Sequence, residues 1–281
     1  MKDFKDKVAV ITGAASGIGK AIAEKFCQEG MKVVLSDIEK SVLSQTEEEL
    51  IQQGFTVKAV LTDVSKIDDI KTLAQETLDS FGAVHILVNN AGVGFAGKSS
   101  TTIWESSPSE WEWILRVNLW GVIYGSHVFT PIMLKQNCEC YIINTGSIAG
   151  LITPQPGAGI YSITKHAVIA LSESLQSDLA LVTKNIKVLA LCPGFINTKI
   201  TESERNRPTY SNDNQTINPK LEPIMNAYQQ IISNGISPKI VAEKLFQALN
   251  DEKFYIPTDS HQFISSKIKT RMDKMIKDFR K

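Results

Sequence analysis

A single α/β domain, with a parallel sheet covered by helices on both faces, is the fold that this 281-residue sequence predicts. Three observations carry that reading. Short apolar, β-branched runs alternate with longer stretches of helical periodicity, the pattern of strands joined by right-handed helical crossovers. The first such run, Val8 to Ile11, leads into a glycine-bearing turn and then a helical pattern through Ala21, Ile22 and Phe26. No Pro/Ser-rich linker or shift of composition divides the chain, so residues 1–281 read as one domain.

Seven strands follow in order: Val8 to Ile11, Lys32 to Ser36, Thr56 to Leu61, His85 to Val88, Tyr141 to Asn144, Lys187 to Leu191, and Phe254 to Ile256. Helical patterns separate them, which predicts a doubly wound, all-parallel arrangement buried on both faces. Ligands of such sheets bind beyond the carboxyl ends of the strands. The polar and glycine-rich motifs of this chain fall at those ends.

Composition narrows the partners. Lys plus Arg and Asp plus Glu each number 30, so nothing marks the chain as a nucleic-acid binder, and a small-molecule partner is expected. Cys27, Cys138, Cys140 and Cys192 form neither a disulfide framework nor a paired zinc pattern, and are read as reduced structural thiols. His85, His127, His166 and His261 are scattered without partner spacing, and no metal is expected. No apolar run approaches the length of a signal or transmembrane segment, so a cytoplasmic location is expected.

Two motifs carry chemistry. In Thr12-Gly13-Ala14-Ala15-Ser16-Gly17-Ile18-Gly19, a strand turns into a helix through three glycines. Such a turn gathers backbone N–H groups at the positive end of a helix dipole and clears the Cβ atoms that would keep a pyrophosphate away. The second motif is Tyr161-Ser162-Ile163-Thr164-Lys165, whose four-residue spacing puts a phenol and an ammonium on one helix face. A phenol has a pKa of about 10, and a nearby cation draws it toward neutrality. Ser147, at the end of the strand containing Tyr141 to Asn144, can bring a hydroxyl to the same spot. A solvated helix face is the plain alternative for the pair.

With these motifs the chain resembles the short-chain dehydrogenase/reductase family, whose glycine motif has the form T-G-x-x-x-G-I-G and whose active site contains Y-x-x-x-K. Asn89-Asn90-Ala91-Gly92, Asn118 in Val117-Asn118-Leu119-Trp120-Gly121, Asn144-Thr145-Gly146-Ser147 and Pro193-Gly194 follow in the family's order. The resemblance covers roughly residues 5 to 200 and implies a Rossmann fold and alcohol/ketone chemistry. It implies Tyr161 as general acid or base, Lys165 as the cation that lowers the Tyr161 pKa and holds the nicotinamide ribose, and Ser147 as donor to the substrate oxygen. Asn118 would hold a water in a proton relay to Lys165, or would only distort its helix. Around the cofactor it implies Gly13, Ser16, Gly17, Ile18 and Gly19 at the phosphates. Asp63 with Val64 would stand at the adenine, although Asp63 also suits a helix cap. Asn90, Ala91 and Gly92 would line the adenosine ribose, and Pro193, Gly194, Ile196 and Thr198 the nicotinamide; Thr198 also suits an N-cap.

The second strand ends at Asp37, about twenty residues beyond the glycine turn, where a carboxylate accepts both adenosine ribose hydroxyls. A 2′-phosphate at about 4 Å would be repelled by roughly 4 kcal/mol at an effective dielectric near 20, before screening. NAD is therefore the expected cofactor, unless Asp37 serves only to cap the next helix. An NAD-dependent dehydrogenase acting on a hydrophobic secondary alcohol or its ketone is the resulting expectation. The alternatives are an NADPH-dependent reductase of 3-oxoacyl thioesters, which Asp37 disfavours, and a non-catalytic cofactor-binding protein.

The remaining segments bear on substrate and assembly. Phe95 to Trp113, with Trp104, Trp111 and Trp113, forms either a pocket wall or ordinary helix packing. Ile148, Leu151, Ile152 and Phe195 lean toward an apolar substrate. A lid is expected at about residues 200–235, with Glu202 to Pro219 as a mobile polar loop. Helical stretches Asn118 to Met133 and Tyr161 to Leu181 are apolar on more than one side, and the family pairs such helices in dimers and homotetramers, so a homo-oligomer is expected. The tail, residues 260–281, is a basic amphipathic helix expected to pack on protein rather than on membrane.

Overall fold

The computed structural model of the chain describes residues 3–94, 102–209, 218–251, 253–258 and 262–279. The sheet contains β1 (Val8–Thr12), β2 (Lys32–Asp37), β3 (Val57–Leu61), β4 (Ile86–Asn89), β5 (Cys140–Thr145), β6 (Ile186–Cys192) and β7 (Tyr255–Pro257). All are parallel, in the order β3-β2-β1-β4-β5-β6-β7. The expected seven strands are all present. Order reverses between β1 and β4, and the crevice that opens at such a point is where ligands bind in folds of this type.

Alternate strand residues feed two cores. Ala9, Ile11, Val33 and Leu35 pack under α1 (Gly17–Gln28), α2 (Lys40–Gln52) and α8 (Pro238–Asp251). Val10, Val34, Leu87 and Ile142 pack under α3 (Ile67–Phe81), α5 (Gly121–Gln136) and α6 (Gly159–Val182). Strands buried on both faces explain why each reads as a continuous apolar run.

Above the carboxyl edge stand α4 (Pro108–Leu115) and α7 (Glu222–Ser233). Ser107 caps α4 by accepting from Glu110 N at 3.2 Å. A π-helical turn, Arg116–Trp120, joins α4 to α5. After α7 the chain returns to the base of β6's exit loop, where Asn197 N donates to Ile236 O at 3.0 Å and Ile236 N to Phe195 O at 3.1 Å.

Two of the expected segments are described in part. At the start of the stretch expected as a mobile loop, Lys199–Asn206 forms 3-10 turns fastened by side chains, and residues 210–217 lie outside the described residues. The tail forms α9 (Gln262–Phe279), whose first half packs on the chain through buried Ile264 and through Arg271 Nη1, which donates to Leu151 O at 3.1 Å, while Met272, Met275, Ile276 and Phe279 are exposed. Residues 95–101, inside the tryptophan-bearing segment, also lie outside the description. No helix among the described residues is long and apolar enough to cross a membrane.

Candidate active site

A cleft of about 910 Å³ runs along the carboxyl edge of the sheet. Its floor at one end is the glycine turn. Gly13 and Gly17 have φ of +68° and +56°, a region that disfavours side chains. A Cβ on Gly13 would stand 2.9 Å from Ala91 Cα, and one on Gly19 would stand 2.0 Å from Gly13 O. The turn is thus pressed against the end of β4. Thr12 holds the two together, its hydroxyl accepting from Asn90 N at 2.9 Å and Ala91 N at 3.0 Å. Asn90 reciprocates by donating its amide to Thr12 O at 3.0 Å.

Ser16 occupies the N-cap of α1 without a capping bond, and Gly17 and Ile18 line the cleft. The first turn of α1 therefore offers its donors and its positive dipole end to a ligand. Asp37 lies half-buried farther along, Oδ2 accepting from Ala15 N and Oδ1 from Glu39 N, both at 3.0 Å. Burial raises its pKa, opposed by those N–H groups. The residue at the α2 N-cap is Glu39, so Asp37 is not the cap of that helix. Asp63 accepts from Ser65 N at 3.0 Å and Ser65 Oγ at 2.6 Å, closing the turn before α3, whose N-cap is Lys66. Thr198 does stand at the N-cap of the 3-10 segment, with no capping bond.

The other end of the cleft is closed by Ser147, Tyr161 and Lys165, which are 7%, 8% and 4% exposed. Ser147 follows β5 and hydrogen-bonds Tyr161, while accepting from Ala149 N at 3.1 Å. Lys165 Nζ donates to Thr145 O at 2.9 Å and lies 5.6 Å from the Tyr161 ring centroid. Burial lowers the ammonium's pKa to about 8. The expected depression of the Tyr161 pKa by Lys165 does not hold for this arrangement. Burial pushes the phenol above its ordinary value of 10, with the Ser147 hydrogen bond acting against it, and the ammonium is directed to a carbonyl instead.

Asn118 is fully buried in the π-helical turn. Its Oδ1 accepts from Val93 N at 2.8 Å and its Nδ2 donates to Val93 O at 2.9 Å, as a neighbouring strand would. Asn118 and Gly19 stand behind the cleft wall; every other expected site residue lines it. Trp113 is buried and lines the cleft too, Trp111 packs behind it, and Trp104 is 80% exposed.

Several lining residues were not among the expected ones. Met225, Tyr228, Gln229 and Ile232 come from α7, and their i, i+3, i+4, i+7 spacing was the available signal. Glu39, Arg116 and Arg205 have no local signal at all. Arg207 stacks 4.3 Å from the Trp113 ring centroid and is bonded to Glu204 at 2.7 Å, fastening the segment after Thr198 to α4.

The residues present fit a nicotinamide dinucleotide. An uncapped helix start and a Cβ-free turn leave room for its phosphates, a half-buried carboxylate stands at one end and a tyrosine hydroxyl at the other.

The comparisons with known proteins agree. The model of the short chain dehydrogenase family matches residues 7–209. A CLA biosynthesis dehydrogenase/reductase of Lactiplantibacillus plantarum is 34% identical over 281 residues, covering 99% of this chain and 96% of its own. A diacetyl reductase of Staphylococcus epidermidis, (S)-acetoin forming, is 37% identical over 69% of this chain and 73% of its own. The crystal structure of a short chain dehydrogenase/reductase from Burkholderia phymatum in complex with NAD superposes with a TM-score of 0.93 at 40% identity, covering 99% of this chain and 97% of that one. By its motifs, its sheet and these likenesses, the chain belongs to the short-chain dehydrogenase/reductase family of oxidoreductases.

Proposed function

We propose that this enzyme interconverts an apolar secondary alcohol and its ketone, with NAD as cofactor. The observation that carries the reading is the hydrogen-bonded Ser147–Tyr161 pair at the closed end of the cleft, with the Lys165 ammonium beneath it. When bound, the nicotinamide supplies or accepts the hydride. Tyr161 Oη takes the alcohol proton in one direction and returns it to the carbonyl oxygen in the other. Ser147 orients that oxygen and donates to the charge that grows on it. Lys165, once drawn from Thr145 O, brings a positive charge that lowers the cost of the phenolate. Asn118 holds Val93, and so the loop after β4, in place beside Lys165.

Asp37 supports NAD through its charge and its fixed carboxylate. Ile148, Ile152, Trp113, Phe195, Met225 and Ile232 give the substrate end an apolar lining. The relatives' names, CLA biosynthesis in one and diacetyl in the other, span very different molecular sizes, so the apolar lining and not the family guides the substrate class. Exposed Trp120 at the end of the π-helical turn and Leu134 on α5, with Ile163, Leu181 and Val182 on α6, support self-association through these helices.

Initial-rate assays over a panel of secondary alcohols of increasing apolar size, each with NAD and NADP, test the reading. Turnover with NAD, rising in kcat/KM with apolar size and favouring NAD by at least about tenfold, is expected. Equal kcat/KM with both cofactors would remove the role of Asp37, and activity confined to acyl thioesters would replace the substrate class.

A further inference from the structure

Two residues beyond Asp37, the strand end meets the segment that follows Thr198. Arg205, 166 positions away in the chain, places Nε at 3.0 Å and Nη2 at 2.8 Å from Glu39 Oε1. Asn206 Nδ2 adds a third donor to the same oxygen at 2.9 Å. The remaining guanidinium nitrogen, Nη1, donates to Lys199 O at 3.0 Å and Glu202 O at 2.9 Å, so the fork is used on every side. Lys199 also acts on Glu39, and together with Arg205 and Asn206 it lowers the Glu39 pKa against the opposing effect of burial. Asp37, Glu39, Lys199 and Arg205 all line the same cleft. Lys66, a further lysine of the lining, is paired with Asp63 at 3.2 Å.

We propose that Glu39 is a second cofactor-selectivity residue, acting by neutralising Arg205 at the adenosine end of the cleft. A guanidinium there is the natural receptor for a 2′-phosphate, because its planar fork matches phosphate oxygens. Held by Glu39, it has its donors spent and its charge cancelled, and a 2′-phosphate meets Asp37 and Glu39 instead. Selectivity then has two parts: repulsion by Asp37, and sequestration of the Arg205 guanidinium. The inference rests on the reading of Asp37 given above, and deepens it.

Calorimetric titration of the full chain with NAD and with NADP, in the absence of substrate, tests both parts. The variants are Asp37→Ala, Asp37→Ala/Glu39→Gln, and the latter with Arg205→Gln. Asp37→Ala should raise the NADP:NAD affinity ratio about tenfold. Adding the isosteric Glu39→Gln should raise it about tenfold more, the scale of one charge-assisted hydrogen bond, and Arg205→Gln should abolish that second gain. If Asp37→Ala leaves the ratio unchanged, the Asp37 reading fails whatever Glu39 does. If Asp37→Ala acts but Glu39→Gln adds nothing, weakens both cofactors equally, or adds a gain that survives Arg205→Gln, the sequestration proposal is overturned.

Discussion

The two ends of the cleft are held by different means. At the glycine turn, backbone meets backbone: Gly19 admits the Gly13 carbonyl, and Thr12 and Asn90 exchange bonds between β1 and β4. At the substrate end, side chains meet side chains from α4, α7 and the segment after Thr198, with Arg207 stacked on Trp113 and no residue of α7 buried. The first kind of contact tolerates almost no substitution, because a peptide carbonyl cannot turn aside without moving its strand. The second can be rebuilt around ligands of different shape while the strands stay where they are. One end is therefore a fixed cradle and the other an adjustable wall.

Four measurements break or sharpen this contrast, beginning with Tyr161 at the closed end. Tyr161→Phe keeps the ring and removes the proton carrier, so kcat should fall by about 10² to 10⁴ while calorimetry shows cofactor affinity retained. Most of the activity surviving would end the assignment. Gly19→Ala puts a Cβ where 2.0 Å separates it from Gly13 O, and forced repacking of this kind costs about 3 kcal/mol. Denaturant unfolding should show that loss, together with weakened cofactor binding; a neutral outcome would mean the cradle is not fixed.

Arg207→Gln removes the stack on Trp113 and the Glu204 pair. A rise of about tenfold in substrate KM, with cofactor affinity unchanged, is expected at the adjustable end. Equal effects on substrate and cofactor would show that the two ends are not independent. The smallest effect lies at the opposite edge of the sheet, where His85 Nδ1 accepts from Val8 N at 3.0 Å and must be unprotonated to do so. Burial lowers the His85 pKa, aided by Lys7. A base with a depressed folded pKa takes up its proton more readily when unfolded, so its stabilising share is present above the unfolded pKa of about 6.5 and is lost as pH falls below it. Tm should drop by a few degrees on acidification from about pH 6.5, and drop less in His85→Asn, whose amide accepts without titrating.

The cradle was legible in the sequence because its parts are contiguous. Thr12 to Gly19 fixes its own geometry within one turn, and the strand ends Asp37, Asn89 and Thr145 announce themselves by the polar residue that stops an apolar run. The π-helical turn at Asn118 was foreshadowed only as a possible helix distortion, since nothing local separates an asparagine that relays protons from one that imitates a strand. The adjustable wall was not legible. The periodicity of Met225, Tyr228 and Ile232 shows that a helix is amphipathic but not which surface it overhangs. Glu39 and Arg205 meet across most of the chain, and no spacing rule joins them. The pairing of Tyr161 with Lys165 illustrates a subtler limit: the shared helix face was readable, yet the competing acceptor, Thr145 O, comes from another strand.

The strand order has a consequence for how the enzyme comes into being on the ribosome. Strands β1 to β4 form one contiguous half of the sheet, and Gly13, Asp37, Asp63 and Asn90 all belong to it. That half can assemble while Ser147, Tyr161 and Lys165 are still unmade, because its neighbours are already in the emerging chain. A nascent chain can thus shape the glycine-turn end of the cleft first, and it acquires Ser147, Tyr161 and Lys165 only when β5 docks against β4 and α6 packs on β5.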